Sequence, residues 1–117
     1  MARLSTHVLD TSRGTPAGGI TVELHRLRDG ERIRVASAVT NADGRTDAPL
    51  VTGERVEPGV YELTFYAGAY FRQSGVAVVD PPFLDQVVIR FGVADPAGHY
   101  HVPLLLSPYG YSTYRGS

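Results

Sequence analysis

The chain has 117 residues, a formal net charge of −1 and no cysteine. Disulfides, thiolate metal sites and a cysteine nucleophile are thereby excluded, and the near-neutral balance argues against the basic footprint of a nucleic-acid binder. A length near the commonest domain size predicts one domain, residues 1–117, with a core that needs no covalent staple.

No apolar run approaches the ~18 residues of a membrane span. The opening MARLSTHVLD has no apolar secretory region. The expectation is a cytoplasmic protein with neither a membrane nor a nucleic-acid partner.

Glycines and prolines divide the chain into short apolar runs, the pattern of an all-β protein. Leu4 to Asp10 reads as a first strand, with Thr6 and Val8 on one face and Ser5, His7 and Leu9 on the other. A Gly/Pro loop, 11–19, follows. Ile20 to Leu27 alternates Ile20, Val22 and Leu24 against Thr21, Glu23 and His25. Asp29-Gly30 is a hairpin turn of the kind that needs positive φ. It leads into Arg32 to Thr40, where Ile33, Val35 and Val39 are expected to face inward. The turn from Asn41 to Gly44 delivers Arg45, and Leu50 to Thr52 fits a short edge strand.

Val60 to Tyr66 puts Tyr61, Leu63 and Phe65 on one face, and Ala67 to Gln73 is the one stretch read as helix. Pro81-Pro82 interrupts the chain before Gln86 to Val93, where Val87, Ile89, Phe91 and Val93 alternate with polar or small residues. The last pair of strands is His99 to Leu106 and Tyr109 to Tyr114. About eight strands and one small helix predict a sandwich of two sheets packed face to face.

The final strands carry the chemistry. Parity gives Tyr100, Val102, Leu104 and Leu106 to the core and leaves His99, His101, Pro103 and Leu105 outside. A face mixing histidine with proline and leucine calls for cover by a partner subunit. Gly110, Ser112 and Tyr114 have the small-polar-aromatic makeup of a cavity lining. With His7 on the outer face of the first strand, they point to a site built from His7, His101 and the C-terminal segment at a subunit interface.

Other readings are weaker. Taken singly, a strand histidine is most often a surface or hydrogen-bonded structural residue, and His25 is read so. His99 and His101, two apart, with His7 make a conceivable three-histidine zinc set, but nothing in the sequence supplies the residues that would support such ligands. Arg45 alone would be a solvated charge. No serine sits in a Gly-x-Ser-x-Gly elbow, and no Gly-rich loop opens a helix for phosphate.

Two stretches resemble the signatures of the transthyretin-like family. One is the run from His7 to Ile20, His-Val-Leu-Asp-Thr-Ser-Arg-Gly-Thr-Pro-Ala-Gly-Gly-Ile, and the other is His99 to Ser117. The ending Tyr114-Arg115-Gly116-Ser117 is similar to that of the family's enzyme branch, which hydrolyses 5-hydroxyisourate. Transthyretin itself has a lysine where this chain has His7 and a threonine where it has His101.

The resemblance covers essentially the whole chain and implies a transthyretin-like sandwich. It also implies a homotetramer, a dimer of dimers, with active sites along a central channel. It puts catalytic roles on His7, Arg45 and His101 and substrate binding on Tyr114, Arg115, Gly116 and Ser117. No metal and no other cofactor is expected. The competing class is a carrier that binds an aromatic small molecule in the same channel.

Overall fold

The computed structural model describes residues 1–116; the C-terminal residue Ser117 lies outside them. The elements, in order, are β1 (Ala2–Asp10), β2 (Thr15–Pro16), β3 (Thr21–Arg28), β4 (Glu31–Val39), β5 (Val51–Gly53), β6 (Gly59–Tyr66), α1 (Ala67–Gln73), β7 (Gln86–Val93), β8 (His99–Ser107) and β9 (Gly110–Thr113). One sheet runs β2-β1-β8-β9 with β5 also on β1, and the other runs β4-β3-β6-β7. Within the first sheet β1 and β8 are parallel.

Alternation builds the core between the sheets. Leu4 and Val8 of β1 and Val102, Leu104 and Leu106 of β8 meet Val22 and Leu24 of β3, Leu63 and Phe65 of β6, and Val87 and Ile89 of β7. Each fully buried Leu, Val or Phe side chain contributes about 1.5–3 kcal/mol relative to exposure. Asp10 ends β1 in the interior without being orphaned. Its Oδ1 accepts from the Ser12 backbone N–H and hydroxyl, and its Oδ2 accepts from the Tyr70 hydroxyl of α1 at 2.7 Å. Burial first, then this carboxylate, pushes the Tyr70 phenol up to about 12. The helix is thus tied to the end of the strand that carries His7.

Two expectations need correcting. The loop predicted over 11–19 contains the two-residue strand β2, paired with Leu9 and Asp10 of β1. The larger correction is β4, where Ile33, Val35 and Val39 are exposed at 48%, 43% and 59%. The β3–β4 register shifts between Leu24 and His25, so His25 pairs with Arg34 rather than Val35. A bulge of this kind reverses parity along a strand, and β4 is also the edge of its sheet. Ala36, not the large residues, packs against the core from this strand. His25 takes the hydrogen-bonded structural reading, but as a buried residue, with Nε2 facing the Arg32 guanidinium.

Candidate active site

The parallel register of β1 and β8 sets Arg3 beside His99, Ser5 beside His101 and His7 beside Pro103. These residues share the outward face because Leu4, Thr6, Val8, Tyr100, Val102 and Leu104 take the inward one. Arg45 arrives from the turn after β4. There the Asn41 side-chain oxygen accepts from the backbone N–H groups of Asp43 at 2.9 Å and Arg45 at 3.2 Å, the closed geometry that makes asparagine a turn residue.

Gly44 sits at φ +75°, and a Cβ there would come 2.2 Å from the Val8 carbonyl oxygen. Only glycine fits that approach. The Val8 N–H donates to the Gly44 carbonyl at 2.8 Å, and Arg45 pairs with His7 in an isolated bridge. The turn therefore docks Arg45 directly against β1.

The C-terminal segment closes the other side. The Gly116 N–H donates to the His101 carbonyl at 2.8 Å, and a Cβ on Gly116 would stand 2.7 Å from His101 Cδ2. The Arg115 guanidinium lies 4.3 Å above the Tyr100 ring and donates to the His99 carbonyl. Beside His101 and Arg45 is a cavity of about 250 Å³ with Arg3, Ser5, Arg45, Thr46, His99 and His101 among its walls, none of them from the described C-terminal segment. Among the described residues, its lining holds no carboxylate. Such a site suits an anion or an oxygen that gains negative charge during reaction.

The histidines differ in their partners. His101 places Nδ1 2.8 Å from the Ser5 hydroxyl. Its imidazole is held below the ordinary range by burial first, then by the positive charge of Arg45, with His7 and Arg3 adding to it. It is a neutral imidazole at neutral pH, fit to accept a proton. His7 Nε2–H donates to the Asp43 carbonyl at 2.8 Å, and His99 Nε2–H donates to the Met1 carbonyl. With the three rings engaged by separate partners, His7, His99 and His101 do not converge on a common point. Among the described residues no three His, Cys, Asp or Glu side chains group as a metal-binding set.

The sequence-predicted residues are therefore divided. His101, Arg45 and Gly116 meet at or beside the cavity, and His7 adjoins it through Arg45. Tyr114 follows the end of β9 at Thr113 and lines a different cavity, with Ile89, Phe91 and Tyr100. The parity that places Ser112 opposite Leu105 does not extend to it. Ser117 lies outside the described residues. Ser5, Arg3 and Thr46 went unread in the sequence. The signal for Ser5 was its shared parity with His7, but its contact with His101 depends on the β1–β8 register, which no local pattern encodes.

Comparison with known proteins decides the family. The family model described as HIUase/Transthyretin family matches residues 4–116. The chain belongs to this family. Over its whole length it is 56% identical to a protein of Pseudomonas aeruginosa named 5-hydroxyisourate hydrolase, covering 93% of that protein. The solved structure of Klebsiella pneumoniae 5-hydroxyisourate hydrolase matches with a TM-score of 0.82 at 42% identity, both chains covered in full. Transthyretin from Sparus aurata matches at 0.85 and 32% identity, covering 97% of this chain and 96% of that one. The transthyretin-like sandwich is thus common to hydrolase and transthyretin, and backbone shape alone does not separate them. Identity does, and it favours the hydrolases.

Proposed function

We propose that this chain hydrolyses 5-hydroxyisourate, opening a ring amide to give 2-oxo-4-hydroxy-4-carboxy-5-ureidoimidazoline in urate degradation. The observation that carries the reading is the 56% full-length identity to a named hydrolase. It is supported by a cavity holding a neutral imidazole and a guanidinium. A carrier of aromatic molecules needs neither group, and identity to transthyretin is lower at 32%.

In the proposed reaction His101 Nε2 takes a proton from water as its oxygen adds to the ring carbonyl. The resulting oxyanion faces Arg45, whose planar donors bind it as charge develops. A well-placed donor of this kind contributes about 3–4 kcal/mol to lowering the barrier. Collapse breaks the C–N bond, the nitrogen leaves with a proton, and the carbonyl carbon becomes the product carboxylate. His7 is the second titratable group of the pair. Its Nε2–H is committed to Asp43, so Nδ1 is the atom left for proton exchange. An imide-like carbonyl is electrophilic enough for the proposal to require no metal or other cofactor.

Tyr114 to Ser117 is proposed as the substrate-contacting segment. Its support is Gly116, hydrogen-bonded to His101 and packed on its ring. The proposed assembly is a homotetramer, a dimer of dimers, of chains that each form one unit over residues 1–117. Open edges at β7 and β9, and exposed Phe83, Tyr109, Tyr111 and Tyr114, support subunit contact there. The half-buried Leu105 beside the site fits a covered channel wall. A cytoplasmic location is part of the same proposal. Among the described residues no helix is long and apolar enough to cross a membrane.

The decisive assay generates 5-hydroxyisourate in situ with urate oxidase and follows its decay with and without the protein. Catalytic acceleration that survives a chelator is expected. Decay at the spontaneous rate, with an aromatic ligand retained instead, would replace the hydrolase with the carrier.

A further inference from the structure

Whether His101 offers its Nε2 as a bare lone pair or as an N–H depends on where its proton sits, and the surroundings of the ring address this from three sides. Nδ1 lies 2.8 Å from Ser5 Oγ. The Cδ2 edge is packed against Gly116 so closely that a Cβ would reach 2.7 Å, which holds the ring in one orientation. That leaves the Nε2–Cε1 edge for the cavity. Among the described residues, the groups whose charge bears on the ring are basic ones: Arg45 from the turn and His7 and Arg3 from β1, each of which opposes a proton on it when charged. His99 flanks it on β8, its Nε2–H tied to Met1, and Arg115 is drawn off to the His99 carbonyl and the Tyr100 face.

A hydroxyl accepts or donates equally well, so the bond alone does not choose a tautomer. The cationic surroundings do. An N–H dipole aimed into a cavity that holds the Arg45 guanidinium is repelled, whereas a lone pair aimed there is attracted. The neutral ring then carries its proton on Nδ1 and needs an acceptor for it. Many catalytic histidines rest on a carboxylate at this position; this one rests on a serine.

We propose that Ser5 is the positioning residue of the site, accepting the Nδ1 proton of His101 and so presenting a bare Nε2 to the cavity. The inference rests on His101 being the base of the proposed hydrolysis, but the tautomer is measurable without turnover. During reaction Nε2 gains the proton of the attacking water, the Nδ1–H bond to Ser5 persists in the imidazolium, and Nε2 then releases its proton toward the leaving nitrogen. A hydroxyl holds this cation less firmly than a carboxylate would, so the proton is passed on rather than trapped.

The first measurement is ¹⁵N NMR of ring-labelled wild-type protein near neutral pH, with His101 assigned by comparison with His101→Asn. Expected is a protonated Nδ1 and an unprotonated Nε2. A dominant Nε2–H tautomer overturns the proposal even if the enzyme is active. Activity lost in Ser5→Ala but retained in His101→Asn would instead sink the base assignment, so the two failures are distinguishable.

The second measurement is kinetic. Ser5→Ala should lower kcat about tenfold with little change in KM. It should also move the acid limb of kcat/KM to lower pH, because the imidazolium loses its acceptor. Ser5→Thr, which keeps a hydroxyl, should recover most of the turnover. Loosened packing alone would lower the plateau without moving the limb. Unchanged kcat in Ser5→Ala, or an unchanged His101 tautomer in that variant, overturns the proposal. If Ser5→Ala does not fold, the wild-type tautomer and the Ser5→Thr profile still decide.

Discussion

The two sheets each carry a charged outward face with a histidine held below its ordinary range, yet the two faces do opposite things with their charge. On β4-β3-β6-β7, Glu62 is buried between Arg90, which donates from Nε and Nη2 at 3.0 and 2.9 Å, and Arg32, which donates from Nε at 3.1 Å. Arg90 first, and Arg32 after it, hold the Glu62 carboxyl below the usual carboxylate range. Arg32 also reaches Thr64 and the Nε2 of His25, whose own depression comes mainly from burial. Acid and base are spent on one another. On β1 and β8 the cations Arg3 and Arg45 surround His101 beside a cavity whose described lining contributes no carboxylate.

A depressed histidine is therefore no marker of a site by itself. What separates His101 from His25 is a ring edge open to a cavity large enough for a small molecule.

The two faces should differ most in what their loss does to turnover. His101→Asn and Arg45→Ala should each lower kcat/KM by about 10²–10³ while thermal unfolding stays near wild type. Steady-state kinetics beside circular-dichroism melting checks both halves. Glu62→Ala should invert the pattern, with turnover kept and stability reduced by about 1–2 kcal/mol, since two half-exposed arginines lose their acceptor but can be rehydrated. A Glu62→Ala variant as inactive as Arg45→Ala would mean the faces are coupled rather than separate.

Acid separates them again, by a smaller effect. A base must be neutral, and His101 titrates below the ordinary imidazole value of 6.5, so kcat/KM should hold until the pH is under that value. Stability follows the same sign on the other face. His25 and Glu62 are both lowered in the folded chain, so the unfolded chain binds their protons first as pH falls. The stability they supply is complete above 6.5, declines as His25 is protonated below that value, and declines further as Glu62 is protonated below 4.5. His25→Gln, which keeps an acceptor for Arg32, should flatten part of the first decline in urea midpoints measured across pH. The share that remains belongs to His101. A decline unchanged by His25→Gln would place all of it outside the Glu62 cluster.

Legibility in the sequence tracks how local the determining physics is. The bounds of α1 and β7 were readable to the residue, because an amphipathic turn and a one-faced strand each declare themselves within eight residues. The inward sets of β1, β3, β6 and β8 were equally readable. β4 was not, since its pattern assumes an unbroken register with β3, and the shift beside Leu24 is set by pairing. The site divides in the same way. His7 and His101 were legible as outward residues by parity. Arg45 gained meaning only from family resemblance, because its approach to β1 depends on the tight Gly44–Val8 contact. Ser5 needed the parallel ladder itself.

Two valines on adjacent strands test the register shift between β3 and β4. Val22 and Val39 belong to adjacent strands of one sheet and look interchangeable in sequence, yet Val22 is fully buried and Val39 is 59% exposed. Val22→Thr places a hydroxyl in the apolar core opposite Phe65, a change that should cost about 1–3 kcal/mol. Val39→Thr keeps a β-branched residue on an edge strand facing water, and should stay within about 0.5 kcal/mol of wild type. Denaturant midpoints on the two variants compare them directly. Equal losses would restore the unbroken alternation along β4 and remove the register shift between Leu24 and His25.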